Sequence, residues 1–347
     1  MSPIVAGTLL AALAAVAFGV TTPFIQRFGA GLDPFVTAAL LYAGALLGAT
    51  GRVRQGGARL EAAVRLRHLP RLVAIAGIGA ALAPTLFAWG LQRLPATYAS
   101  LLLNGEAVFT VGLAALLYRE HVGLRVLLAV LSMFAGGVVT VAAAASTSAV
   151  GLCGAVAVVA AVLAWALDNV LTRPFADLDP AAVVRVKALC GALLTGLLSL
   201  LVAEPGPSWA QTGGLLVCGA TGYGGSLRLY LLAQRRIGAG RTGSVFALAP
   251  FVGVLAAILL GERTFGAATA AAVVLFVAGV GLHLTEAHRH AHAHRTTRHD
   301  HAHSHDDGHH DHPHDPPPVG PHAHPHAHDA RVHSHPHGPD SHHDHGH

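Results

Sequence analysis

The chain has 347 residues, of which 53% are hydrophobic and only 12% charged, and its mean hydropathy is +0.53. Soluble domains carry about a quarter charged residues, so an ordinary water-soluble fold is excluded and the apolar bulk calls for a lipid surrounding. The formal charge of +4, with histidine neutral, comes from arginines in short loops, which argues for membrane topology and against a nucleic-acid partner.

A helix that crosses the hydrocarbon core needs about 20 largely apolar residues. Ten segments meet that requirement, roughly at 4–22, 34–50, 70–91, 97–117, 124–143, 149–171, 181–203, 213–234, 242–260 and 265–284. The first could pass for a signal peptide, but it lacks a basic leading region and many similar runs follow, so it reads as the first span. Arg52, Arg54, Arg59, Arg65, Arg67, Arg71, Arg119, Arg125, Arg173, Arg235, Arg236 and Arg241 fall in loops on one side, against Arg27, Arg93 and Arg263 on the other. The excess of positive charge predicts that both termini are cytoplasmic, in a multi-pass protein of the plasma membrane. Cys153, Cys190 and Cys218 sit in apolar runs without CxxC spacing, and neither a disulfide nor a thiolate metal site is expected.

Charged side chains inside spans cost about 2.5–3.5 kcal/mol on insertion scales and mark candidate functional positions. The fourth span contains "LLLNGEAVFT", with Glu106 at mid-depth and Asn104 two residues before it. Asp168 and Asn169 lie near the end of the sixth span, followed by Arg173; Arg185 and Lys187 open the seventh. For Asp168 the sequence leaves two partners open, Arg173 and Lys187, while Arg185 is expected to reach the headgroups. In the eighth span Arg228 stands close to Tyr223 and Tyr230, and the run "GAGRTGS" could break the ninth near Gly243. The candidate transport and coupling set is therefore Glu106, Asn104, Asp168, Asn169, Lys187, Arg228 and Tyr223. A carboxyl group in apolar surroundings takes up a proton at higher pH than in water, which brings proton carriage near neutral pH within reach.

Sliding the chain by 142 positions lays "LQRLPATYASLLLNGEAVFTVGLAALLYREH" over "AQRRIGAGRTGSVFALAPFVGVLAAILLGER". Gln92 meets Gln234, Arg93 meets Arg235, Phe109 meets Phe251, and Glu120 meets Glu262; further on, Phe134 meets Phe276 and Gly137 meets Gly279. "LDP" at Leu32–Pro34 echoes "LDP" at Leu178–Pro180 at a slightly different offset. A unit of five spans is odd, so the second copy must lie inverted in the bilayer, a recurring plan of transporters that hold solute near the midplane. The expected organisation is all-α, with ten transmembrane helices in two inverted five-helix repeats. Residues 1–145 and 146–285 would form the repeats and 286–347 a disordered cytoplasmic tail.

The endings "LLYREH" and "ILLGER", with "AWALDNVLTR", "GYGGSLRLY" and "RTGSVFALAPF", make residues 4–284 resemble the EamA group of the drug/metabolite transporter superfamily. The resemblance implies movement of small organic solutes, usually outward and often by proton exchange. Where such sequences often carry proline in the fourth helix, this chain has Glu106-Ala107-Val108, while Pro250 keeps that feature in the second half.

The tail holds all 26 histidines except His68, His121 and His283, interleaved with aspartate and proline, and too little else to form a core. His288, His290, His292, His294, His299, His301, His303, His305, His322, His324, His326 and His328 alternate with other residues, a pattern that offers overlapping weak sites for Zn, Ni, Co or Cu. No cofactor is required, and without a phosphate loop, a dinucleotide fingerprint or a Ser-His-Asp pattern the chain is not expected to be an enzyme. The expected partners are the bilayer, a small solute and transition-metal ions on the tail, with a homodimer left open. A proton-coupled exporter of organic solutes is the leading expectation. A divalent-metal exporter fed by the tail, or a membrane-tethered metal-binding or sensing protein, is the alternative.

Overall fold

A computed structural model describes residues 3–49, 64–118, 122–175, 178–202, 206–237 and 239–284, with tail segments 288–293, 297–303, 322–328 and 332–337. In hydrocarbon each backbone N–H and C=O must be satisfied within the chain, and every described span is helical. The first and second spans are α1 (Pro3–Phe28) and α2 (Pro34–Ala49). The third joins α3 (Leu69–Ala76) to α4 (Ala83–Leu91) through a π-helix at Gly77–Leu82. The fourth is α5 (Ala96–Leu102) and α6 (Gly105–Tyr118); the fifth, sixth and seventh are α7 (Leu124–Thr147), α8 (Ala149–Thr172) and α9 (Pro180–Ser199). A second π-helix, Gly219–Gly225, joins α10 (Trp209–Cys218) to α11 (Ser226–Ile237) in the eighth. The ninth is α12 (Ala239–Phe246) with α13 (Ala249–Leu259), and the tenth is α14 (Ala267–Leu284).

Span ends follow from local chemistry. The twin "LDP" stretches are helix starts. Asp33 Oδ1 accepts from the Phe35 amide at 2.7 Å, and Asp179 Oδ1 from the Ala181 amide at 2.9 Å, each with proline as the first helical residue. Ser148 caps α8 in the same manner, and Ser208 and Gln211 form a reciprocal capping box on α10. The eighth span therefore starts at Trp209, a turn earlier than its hydropathy suggests, and α1 runs on through Pro23 to Phe28.

The packing has the pseudo-twofold pattern of an inverted repeat. α1 packs on α11 and α13, as α8 packs on α4 and α6; α2 pairs with α9, and α7 with α14. Lipid tails are as apolar as leucine, so the spans associate through close approach at small residues. Phe276 fills the space over Gly136 at 3.1 Å from where a Cβ would stand, and Ser132 Oγ donates to the Leu275 carbonyl at 2.7 Å.

The tail segments pair in antiparallel fashion, β1 (His288–Ala293) with β4 (Val332–His337) and β2 (Thr297–His303) with β3 (His322–His328). Composition predicts a tail without regular structure; the His-x-His alternation has the period of a strand, which lets these segments pair. Two-stranded ribbons are marginal in water, and here each has only two strands among the described residues.

Candidate functional site

The fourth and ninth spans both tighten at mid-depth. In the fourth, the amides of Asn104 and Glu106 bond back three residues, to Leu101 at 3.1 Å and Leu103 at 3.1 Å, and Asn104 Nδ2 also donates to the Leu101 carbonyl at 3.2 Å. In the ninth, the Leu248 amide bonds to Val245 at 3.2 Å and the Phe251 amide to Leu248 at 3.1 Å, around a Pro250 that has no N–H to offer. Helices α6 and α13 thus both begin inside the bilayer, one from each repeat, the arrangement that marks solute sites in inverted-repeat proteins. The interruption in the ninth span falls at Ala247–Leu248 rather than near Gly243.

Glu106 lies in the first turn of α6, half-buried, and its Oε1 accepts from Asn169 Nδ2 of α8 at 2.6 Å. One residue earlier on α8, Asp168 is 5% exposed and forms an ion pair with Lys187 of α9; Lys187 Nζ also donates to Thr172 Oγ1 at 3.3 Å. Lys187 is thus the partner chosen between the two candidates, while Arg173 stacks over the Tyr118 ring at 4.6 Å. Asp168 Oδ1 has no hydrogen-bond partner among the described residues. Arg185 stands 3.7 Å from Asp179 at the start of α9.

The first π-helix brings a backbone acceptor to this place. The Ala83 amide bonds to Ile78, five residues back, so the next such bond would join residue 84 to Gly79. Pro84 has no N–H, and the Gly79 carbonyl is left for side chains: Tyr42 OH donates to it at 3.0 Å and Trp165 Nε1 at 2.9 Å. Gly79 has no room for a Cβ, because the Asp168 side chain occupies that volume. The second π-helix, 142 positions on, carries Tyr223. From there ring contacts run through both repeats: Tyr42 to Tyr223 (5.9 Å between centroids), Tyr223 to Phe18 (5.8 Å), Phe18 to Phe246 (5.7 Å) and Phe246 to Tyr230 (5.2 Å). Tyr230 lies within electrostatic reach of Glu106, and Glu106 and Tyr42 within reach of Asp168. The circuit closes on itself, with seven spans contributing: one carboxylate that no cation among the described residues pairs, one neutralised pair and five aromatic rings.

Of the residues singled out in the sequence, the structure brings together Glu106 with Asn169, Asp168 with Lys187, and Tyr223 with the ring chain. Asn104 is 6% exposed with its amide turned onto its own helix, so it shapes the interruption and does not face Glu106. Arg228 is half-buried and, among the described residues, joins none of these groups by a hydrogen bond or ion pair. Phe18, Tyr42, Gly79, Trp165, Tyr230 and Phe246 went unassigned. Pro84 five residues after Gly79 was a visible signal for the freed carbonyl; the rings looked like ordinary apolar residues. Among the described side chains no three His, Cys, Asp or Glu stand close enough to share an ion. The tail histidines' side chains lie outside those described, as do His294 and His305 altogether.

Two further features flank the circuit. A cavity of about 710 Å³ where α2 and α8 begin is lined mainly by apolar residues, including Phe35, Trp89 and Val156, and shares no residue with the circuit. On the side opposite the start of α1, Glu262 reaches from the end of the ninth span to the start of the fourth. Its carboxylate accepts from the Ala96 amide (2.7 Å), the Thr97 amide (3.0 Å) and Thr97 Oγ1 (2.8 Å), and so caps α5 from the other repeat. Its repeat counterpart, Glu120, lies outside the described residues.

Residues 5–142 and 152–285 each match the profile of the EamA-like transporter family. A protein of Methanothermobacter thermautotrophicus, described as an uncharacterized transporter, is 27% identical over 231 residues, covering 63% of this chain and 66% of that protein. A protein of known crystal structure superposes with a TM-score of 0.59 at 21% identity, over 80% of this chain and 94% of the other, and so shares its fold.

Proposed function

The chain belongs to the EamA-like transporter family, and on that premise we propose that it is a proton-coupled secondary transporter that exports small organic solutes, with Glu106 as the coupling carboxylate. The observation that carries this reading is the place of Glu106: at the start of a helix that begins inside the membrane, held by Asn169 of the sixth span. Asn169 of α8 donates to it, and Asp168 of α8, balanced by Lys187 of α9, and Tyr230 of α11 lie within electrostatic reach. Glu106 is thus the acid in the circuit that no described cation balances, and a proton or a solute can each neutralise it. An ionisable group so placed, between helices of opposite repeats, can bind on one side of the membrane and release on the other as the repeats rock.

The halves meet near residues 145 and 146, a division supported by family matches that end at 142 and resume at 152. Both termini face the cytoplasm of a plasma membrane, a placement that rests on the loop arginines. The tail binds Zn, Ni, Co or Cu through its histidines. Its support is composition, together with a strand register that sets His290 opposite His335 and His301 opposite His324.

The test is transport in proteoliposomes under an imposed pH gradient. Glu106→Gln should insert and fold as the parent does, yet lose gradient-driven solute movement down to the level of empty vesicles. An undiminished response to the gradient in that variant would remove Glu106 from the mechanism.

A further inference from the structure

The transporter reading leaves open which solutes enter, and the circuit around Glu106 bears on that question. We infer that the solute is an organic cation of single positive charge with an apolar body; this rests on the proposed function. Charge balance is the first argument. The acids and bases of the circuit are Glu106, Asp168 and Lys187; the last two neutralise each other. Among the described residues Glu106 accepts one hydrogen bond, from the uncharged Asn169 amide. When Glu106 gives up its proton the site is one negative charge in excess, in surroundings where an unbalanced charge is costly, and a cationic solute removes the excess.

The second argument is the lining. Phe18, Tyr223, Phe246 and Tyr230 are each half-buried, and neighbouring rings lie 5.2–5.8 Å apart across α1, the second π-helix, α12 and α11. The faces of aromatic rings carry negative potential and attract cations within about 6 Å of the centroid. Tyr230 joins the ring chain to the carboxylate, since it meets Phe246 edge-to-face and lies within electrostatic reach of Glu106. An anion would meet an unbalanced carboxylate and the negative faces of rings. Among the described residues Arg228 makes no hydrogen bond or ion pair with this group; on a helix it stands about 200° from Tyr230, on another face of α11.

The full-length protein in detergent micelles is titrated calorimetrically with phenyltrimethylammonium, benzyl alcohol and benzoate, which share a ring and differ in charge. The cation should bind at least about tenfold more tightly than either of the others, the scale of a desolvated cation–aromatic contact. Glu106→Gln should weaken its binding by about tenfold or more with the melting temperature retained. Phe18→Leu keeps the apolar volume but removes a ring face; it should weaken the cation about fivefold and leave benzyl alcohol unchanged, which decides the matter if Glu106→Gln does not fold. Benzoate or benzyl alcohol binding within threefold of the cation would overturn the assignment, as would binding by none of the three or a cation affinity indifferent to both substitutions. Parallel flux measurements separate the two levels: gradient-driven transport that prefers benzoate refutes the cation alone. Cation binding with no solute moved in proteoliposomes refutes the transporter reading.

Discussion

Asp168 and Lys187 show how a charge is kept in this membrane domain. Removing one member of a buried pair leaves the other unpaired in a low-dielectric place, at a cost of about 3–5 kcal/mol, whereas replacing both by apolar groups of similar size is often near neutral. Asp168→Ala should therefore lower the thermal unfolding temperature in detergent markedly, and Asp168→Leu with Lys187→Met should restore most of the loss. If the double variant is no more stable than the single one, the pair is not the source of the effect. Gly79→Ala tests the same place from the backbone side: a methyl group there displaces Asp168, so the variant should be destabilised while Gly77→Ala, with open space around it, is not. The sequence made each charge conspicuous through its cost in hydrocarbon. It could not select Lys187 over Arg173, because that choice depends on the azimuth of α9 against α8. Asn169 was visible as polar, but its bond to Glu106 spans 63 positions and follows only from the packing of α6 on α8.

At the level of elements, spans were legible from length and hydropathy, whereas their interruptions were not. Pro84 and Pro250 lie in the open in the sequence, but whether a proline yields a kink, a tightened turn or a π-helix depends on which donors lie beside the freed carbonyl. Tyr42 and Trp165 supply them in one repeat. The "REH" and "GER" endings stood out as a family feature, and for the second the structure gives a physical role. Glu262 satisfies two amides at the start of α5 and the Thr97 hydroxyl. Thr97→Val should cost about 1 kcal/mol, one lost hydrogen bond. Glu262→Ala should cost more, about 1–3 kcal/mol, because two amides lose their acceptor. Chemical denaturation in mixed micelles would rank them, and the opposite order would show that the cap contributes little.

Taken whole, the molecule divides into a membrane body and a tail that depend on different physics. The body's two-fold plan was readable from the 142-position repeat and the twin "LDP" stretches, whose aspartates cap the starts of α2 and α9 alike, although Phe276 is fully buried and its counterpart Phe134 is exposed. The tail's behaviour was readable only as composition. Removing residues 286–347 should leave the unfolding temperature and solute transport of the body unchanged while abolishing retention on immobilised nickel. A fall in solute transport on truncation would tie the tail to the transport cycle.

The two π-helices carry a last consequence. Each contains about one residue more than an α-helix needs for the same turn, so the stretches on either side are out of phase by about 100° relative to an unbroken winding. The third span uses that freedom: α3 packs on α9, and α4 packs on α8. Deleting one residue from Gly77–Leu82 would knit the span into a single rod and force one of those two faces to let go. The extra residue acts as a swivel fixed in the covalent chain, and each repeat has one at the same post.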